Sequence, residues 1–285
     1  MDFAFLTDRV ALALGNGFYS AGLLYGVWSL TFRRRYSRLA SYGLITLGWL
    51  VQTYGLFLRG HATHSCPVGN KFEVFQFVAW SCTLLYLFVG PAFRMSLLGF
   101  FTAGLATLLG SLSLLMPGWD SALRVRPFGA DPTVAIHASL ALFSYGVFAL
   151  LALTSLMYLL QHRNLRRKEL GGPFALLPSI VSLDQINLRL LAVGVVLLSI
   201  ALGLAATQMH LQPTAVAHTK LFGTVAVWFC YLVLLVQRLR QRWVALRFAR
   251  LGLVLFLAPI LTLWIVHSPR RTAPAVELPQ PAVTP

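Results

Sequence analysis

Eight long apolar stretches separated by short polar segments constrain this chain more than any other feature, covering roughly residues 10–32, 39–58, 72–93, 96–116, 133–160, 188–207, 221–236 and 248–267. Runs of about 18 or more apolar residues, wound as helices, match the hydrocarbon thickness of a bilayer. Within lipid the backbone must satisfy its own hydrogen bonds, which leaves helices as the natural solution for segments of this length. The reading is an all-α polytopic membrane protein with about eight transmembrane helices. Composition agrees, because 58% hydrophobic and 11% charged residues with a mean hydropathy of +0.73 fall outside the range of soluble domains. Asp2, Asp8 and Arg9 precede the first stretch where a secretory signal would carry a basic segment, and no small-residue cleavage site follows. That stretch therefore reads as a retained helix. Residues 1–268 read as one integral-membrane domain. Residues 269–285, rich in Pro and Ala, read as a disordered tail with little to bury.

The net charge of +15 is not spread along the chain but gathered in blocks between the apolar runs, the pattern of topology signals rather than of a nucleic-acid surface. With the N-terminus outside, fifteen of the twenty-three Lys and Arg residues fall on the cytoplasmic side, among them Arg33, Arg34, Arg35, Arg38, Arg163, Arg166, Arg167 and Lys168. The positive-inside rule thus places both termini on the outer, periplasmic side of a bacterial inner membrane. The basic run at 163–168 is suited to anionic lipid.

This map sorts the seven histidines. His162 lies beside a cytoplasmic basic run, whereas His61, His64, His137, His210, His218 and His267 all fall on the outer side. His137 sits about one turn inside the fifth stretch and His267 closes the eighth at the same outer level. An ionisable group at that depth points to function, since leaving it unpaired in hydrocarbon is costly; the plainer alternative is an interfacial ring bonded to a carbonyl. Two imidazoles from separate helices at matched depth suit six-coordinate haem iron. His61, His64 and Cys66 first suggest a ligand cluster, which the topology together with the family resemblance given below reduces to rim residues. In the third stretch Asn70 is a candidate helix cap. Glu73 complements the helix dipole and has Lys71 or Lys220 as partners, or else orients a ligand histidine. Trp80, Trp119, Trp228 and Trp264 suit either an interfacial belt or a flat wall for a porphyrin face. On the cytoplasmic side, the sequence PFALLPSIVSLDQIN reads as an amphipathic surface segment, with Ser182 and Gln185 forming a capping box into the sixth helix.

Several of these stretches together resemble the integral-membrane cytochrome c assembly and haem-handling proteins, the CcsA, CcmC, HemX and YpjD group. CPVGNKFEVFQFVAW is similar to the family's Pro-x-x-Asn-x-x-Glu-x-x-x-Phe-x-x-Trp helix start, through Pro67, Asn70, Glu73, Phe77 and Trp80. The helix opening at His137 resembles the family's His-to-Tyr helix, with Tyr145 in the tyrosine place; LPSIVSLDQINLRLLAVG and WIVHSPRR resemble two further elements. The resemblance implies non-covalent haem b held between His137 and His267 as axial ligands, with Trp80, Glu73, Asn70, Tyr145, Lys220 and His218 around it. It also implies work with other cytochrome c maturation membrane proteins and with apocytochrome c. The chain departs from the cytochrome-assembly branch before the seventh stretch, where His218 and Thr219 stand in the places of Asp and Pro and no tryptophan cluster is present. Near the end of that stretch Val236 occupies the place of a usual histidine.

Other functions find less support. Cys66, Cys82 and Cys230 form no CxxC, CxxCH or zinc spacing, and no GxSxG, HExxH or P-loop is present, so nothing identifies an enzyme. A small-molecule transporter would be expected to carry mid-membrane charges and inverted repeats, neither of which is evident. A HemX-like regulatory or scaffold protein of haem metabolism fits the missing tryptophan cluster. The topology makes a direct prediction: a compartment-sensitive reporter fused after Arg167 is active only in the cytoplasm, and activity on the outer side would invert the assignment.

Overall fold

The structure is a computed structural model that describes residues 3–32, 34, 36–63, 66–93, 97–120, 132–168, 177–211, 218–241 and 244–257. Among them the chain is all helical: α1 Phe3–Thr31, α2 Arg38–Thr63, α3 Lys71–Ala92, α4 Leu98–Leu115, a 3-10 turn Pro117–Trp119, α5 Pro132–Arg167, α6 Ile180–Leu211, α7 His218–Leu239 and α8 Ala245–Leu255. Six of these, α1 and α3 to α7, contain a segment long and apolar enough to cross a membrane. The protein is a polytopic membrane protein. α2 has the length, at 26 residues, but carries Arg38, Gln52 and Arg59 within it, and α8 has 11 residues among those described.

Neighbouring helices in sequence pack as antiparallel pairs, α1 on α2 and α5 on α6 most extensively. α4 fills against α1 and α3, α8 against α5, and α7 against α6, so the first four and last four helices form two groups that meet where α3 crosses α5. The crossing is close because Gly146 has no side chain: a Cβ there would lie 2.0 Å from Ser81 Oγ and 3.1 Å from the Cys82 nitrogen. Small residues at helix contacts take the place of a hydrophobic driving force in lipid, by letting backbones approach. Phe148 of α5 and Tyr231 of α7 stack with ring centroids 3.7 Å apart and planes 2° from parallel. Both are fully buried, and they join opposite sides of the second group.

Two details differ from the sequence reading. The segment expected on the cytoplasmic surface is largely the first two turns of α6 itself, with Leu183 and Asn187 at 0% exposure. Its cap is therefore Ser179, whose Oγ accepts the Ser182 N–H at 3.2 Å, one turn ahead of the box expected at Ser182. Large apolar residues such as Leu24, Trp28, Phe57, Phe88, Val196 and Phe229 remain exposed on the helix exteriors, as lipid-facing surfaces must.

The α3–α5 crossing yields a test. Gly146→Ala overpacks it and lowers stability by about 1–3 kcal/mol, read as an earlier thermal unfolding transition in detergent. Ser81→Gly in the same chain recovers part of the loss, because the hydroxyl is the nearest atom to the added methyl.

Candidate functional site

The polar end of the first group is built around one side chain. Arg59, near the end of α2, is 1% exposed and donates in three directions. Its Nε reaches Glu73 Oε1 on α3 at 2.6 Å, Nη1 reaches Asp8 Oδ2 on α1 at 3.1 Å, and Nη2 bonds Asp120 Oδ1 after the 3-10 turn. Arg9 adds a second cation, 3.6 Å from Asp120 Oδ2. The Phe72 ring lies under both guanidinium groups, 4.7 Å from Arg59 Cζ and 5.4 Å from Arg9 Cζ. The three carboxylates are met from three separate nitrogens of one planar guanidinium, a spread that the single nitrogen of a lysine ammonium does not have.

Glu73 also fixes the start of α3. The Asn70 Oδ1 accepts the Glu73 N–H at 2.8 Å, as the cap reading anticipated, and Glu73 Oε2 accepts the Gly69 N–H at 2.7 Å. The chief ionic partner of Glu73 is nonetheless Arg59, which the sequence reading did not weigh. Glu73 is also not the sole acid at this end, because Asp8 and Asp120 converge on the same arginine. Below the cluster a buried chain of hydrogen bonds crosses all four helices: Tyr19 to Gln52 at 2.7 Å, Gln52 to Gln76 at 2.7 Å, and Gln76 to Ser113 at 2.8 Å.

His137 lies at the same end of the second group. Its Nδ1 is 2.6 Å from the Ala201 carbonyl oxygen of α6. A carbonyl can only accept, so Nδ1 carries the proton and Nε2 presents its lone pair. This is the arrangement in which a ligating histidine is oriented through its other nitrogen. The loop ahead of α3 reaches the same turns of α5, where Cys66 Sγ lies 3.0 Å from Ser139 Oγ.

The remaining candidates are distributed between the two groups. Trp80 donates to Thr53 Oγ1 at 2.8 Å and stacks on Trp49 at 6.0 Å, both on α2. Tyr145 is buried two turns along α5 from His137, and Trp228 of α7 donates to Ser199 Oγ of α6 at 2.8 Å. His218 and Lys220 occupy the first turn of α7. Trp119 packs on Phe75, with ring centroids 4.9 Å apart. His64, Trp264, His267 and the tail lie outside the described residues. His61 is exposed and stacked on Phe57. Asn70 and Glu73 thus belong to the Arg59 cluster, while His137 belongs to the α5–α6 contact.

Residues 68–271 match the protein family described as Cytochrome C assembly protein. The chain is 31% identical over 218 residues to Protein HemX of Brevibacillus brevis, covering 75% of this chain and 78% of that one. It is 26% identical to Protein HemX of Bacillus subtilis, covering 76% and 79% of the two chains. It is also 25% identical over 156 residues to the cytochrome c biogenesis protein CcsA of Chlamydomonas reinhardtii, covering 52% and 42%.

The ion cluster predicts an asymmetric mutational response. Arg59→Met strands buried carboxylates and costs about 3–5 kcal/mol, seen as loss of folded protein or a sharply lowered unfolding temperature. Arg59→Lys recovers only part of that stability, because one ammonium cannot reach all three acids. Equal stability of Arg59→Lys and the parent would show that the fork geometry is dispensable.

Proposed function

The chain belongs to the cytochrome c assembly protein family, and from that premise we propose that it holds non-covalent haem b at its outer side, with His137 and His267 as the axial ligands. The chain is a multi-pass membrane protein of the cytochrome c biogenesis type. The observation that supports haem most is the His137–Ala201 contact, which fixes the tautomer and leaves Nε2 as the donor atom. An imidazole nitrogen held on a rigid helix is the donor that low-spin haem iron takes. When bound, haem supplies the redox-active iron and a large planar apolar surface; the residues of this chain orient the ligand ring and shield it.

In this reading α5 sets the depth and tilt of His137, and Ala201 of α6 prevents its ring from rotating. Tyr145 and Trp228 belong to the neighbouring α5 and α7 segments, and His218 and Lys220 belong to the first turn of α7. Asn70, Glu73 and Trp80 act at one remove, by holding α3 and the loop that reaches Ser139. The protein then works in the bacterial inner membrane beside other cytochrome c maturation proteins, with apocytochrome c as the eventual acceptor.

A second reading, a HemX-like regulatory or scaffold protein of haem metabolism, draws on two observations. Two relatives matched over most of their own length are both HemX proteins. His218 and Thr219 also stand where the resemblance places Asp and Pro. Both readings keep haem at His137 and differ in whether it is passed on.

The test is the absorption spectrum of the detergent-purified protein. The parent shows a low-spin bis-histidine haem signal that His137→Ala and His267→Ala each lose or convert to high spin, whereas His61→Ala leaves it unchanged. A protein that takes up no added haem, or variants with the parent spectrum, would refute the assignment.

A further inference from the structure

The outward face of α8 carries charge that the haem reading does not use. α8 packs inward through Phe248, Ala249 and Gly252, all buried. Residues 247, 250, 254 and 257 recur at the three- and four-residue spacing of a single helix face, and that face is exposed. Arg247 and Arg250 come first, followed by Val254 at 60% and Leu257 at 57% exposure. No described acid pairs with either arginine. Asp184 is the only acid among the described residues of the second group, and its partner is Arg238.

Contacts with α5 and α7 fix the depth of the two arginines. Gly252 faces Ser155 of α5, where a Cβ would lie 3.1 Å from the hydroxyl, and the Phe248 ring lies under Arg238, 5.5 Å from its Cζ. Arg238 pairs with Asp184 in the first turns of α6, at the end opposite the Ala201–His137 contact. α8 therefore runs antiparallel to α5, and Arg250 and Arg247 lie two and five residues beyond the Ser155 level, away from His137. Ser155 is 18 residues along α5 from His137, so at 1.5 Å per residue the arginines stand about 30–35 Å from the level of the histidine. The hydrocarbon core of a bilayer is about 30 Å thick. Arg247 and Arg250 thus sit at its boundary, and Val254 and Leu257 run back into it. The cations of residues 163–168 stand about 5–12 Å farther out along α5.

We propose that the Arg247–Arg250 face of α8 binds an anionic glycerophospholipid, with its phosphate held between the two guanidinium groups and an acyl chain laid along Val254 and Leu257. Side chains three apart on a helix are neighbours, with Cβ atoms about 5–6 Å apart. Each guanidinium offers paired N–H donors that match two phosphate oxygens, so two of them on one turn form a cradle for a single anion. At the hydrocarbon boundary the anion that reaches such a pair from outside is a lipid phosphate. The apolar continuation of the face favours a lipid over an acidic soluble protein, which would meet only the first two turns. The inference is independent of haem at His137.

The test is thermal unfolding of the full chain in detergent with added lipid. Phosphatidylglycerol raises the unfolding temperature of the parent by about 2 °C or more over the same amount of phosphatidylcholine, as a ligand of the folded state does. The double variant Arg247→Gln, Arg250→Gln loses most of that gain, and its transition in phosphatidylcholine stays at the parent value because both side chains are exposed. The double variant Arg166→Gln, Arg167→Gln keeps most of the gain, and sodium phosphate at matched concentration gives the parent none. A full gain in the α8 variant, an equal loss in the α5 variant, or a gain from phosphate alone would overturn the proposal. A second measurement needs only the parent: native mass spectrometry of protein released from equimolar phosphatidylglycerol and phosphatidylcholine shows phosphatidylglycerol retained in preference, and equal retention of the two lipids also overturns it.

Discussion

The guanidinium of Arg59, buried among Asp8, Glu73 and Asp120, is the interaction on which the outer architecture rests. A membrane core offers no water to an unpaired polar group, so a charge at a helix end must find partners within the protein. Here one arginine ties α1, α2, α3 and the turn after α4 into a single polar knot, with Phe72 beneath it. The knot desolvates four charged groups, and removing Arg59 from it would leave buried carboxylates stranded. It also determines where α3 begins, since the carboxylate that pairs with Arg59 simultaneously accepts the Gly69 N–H.

That fixed start carries the effect across the molecule. The loop held by Asn70 and Glu73 extends back to Cys66, which touches Ser139 on α5 two residues from His137. At the same end, the Ala201 carbonyl holds the His137 ring. The two helix groups thus meet at the loop on the polar surface and at the Gly146 crossing within the bundle, among other contacts. Contacts thus run from the ion knot through the loop to the turn of α5 that carries His137, although no charged residue of the knot belongs to the α5–α6 contact. In the second group the polar residues are partitioned differently, with the histidine at one end, unpaired interior groups toward the other, and the Phe148–Tyr231 stack between them.

The sequence made the helices legible because an apolar run of bilayer length has few alternatives, and it marked Asn70 as a cap because the local Asn-x-x-Glu spacing is a short-range signal. It did not reveal Arg59, whose partners lie 14, 51 and 61 residues away. In the sequence Arg59 is simply one cation at the end of an apolar run, indistinguishable from a topology signal. A useful clue would have been the lone acids Asp8 and Asp120, each at the same expected membrane level. The same limit explains α6: its first turns alternate polar and apolar residues as a surface helix would, yet Asn187 is fully buried. His137 was legible as a candidate from its depth, whereas the Ala201 carbonyl that orients it is a backbone atom and carries no side-chain signal.

The central claim is that the Nε2 of His137 is an iron ligand and not only an interfacial hydrogen-bonding group. The most direct measurement is chemical rescue, in which haem is titrated into purified His137→Ala and its absorption spectrum is followed as free imidazole is added. The account predicts a high-spin or haem-poor variant that regains the low-spin spectrum of the parent as imidazole fills the space left by the ring. A variant that binds haem with the parent spectrum before imidazole is added would contradict it.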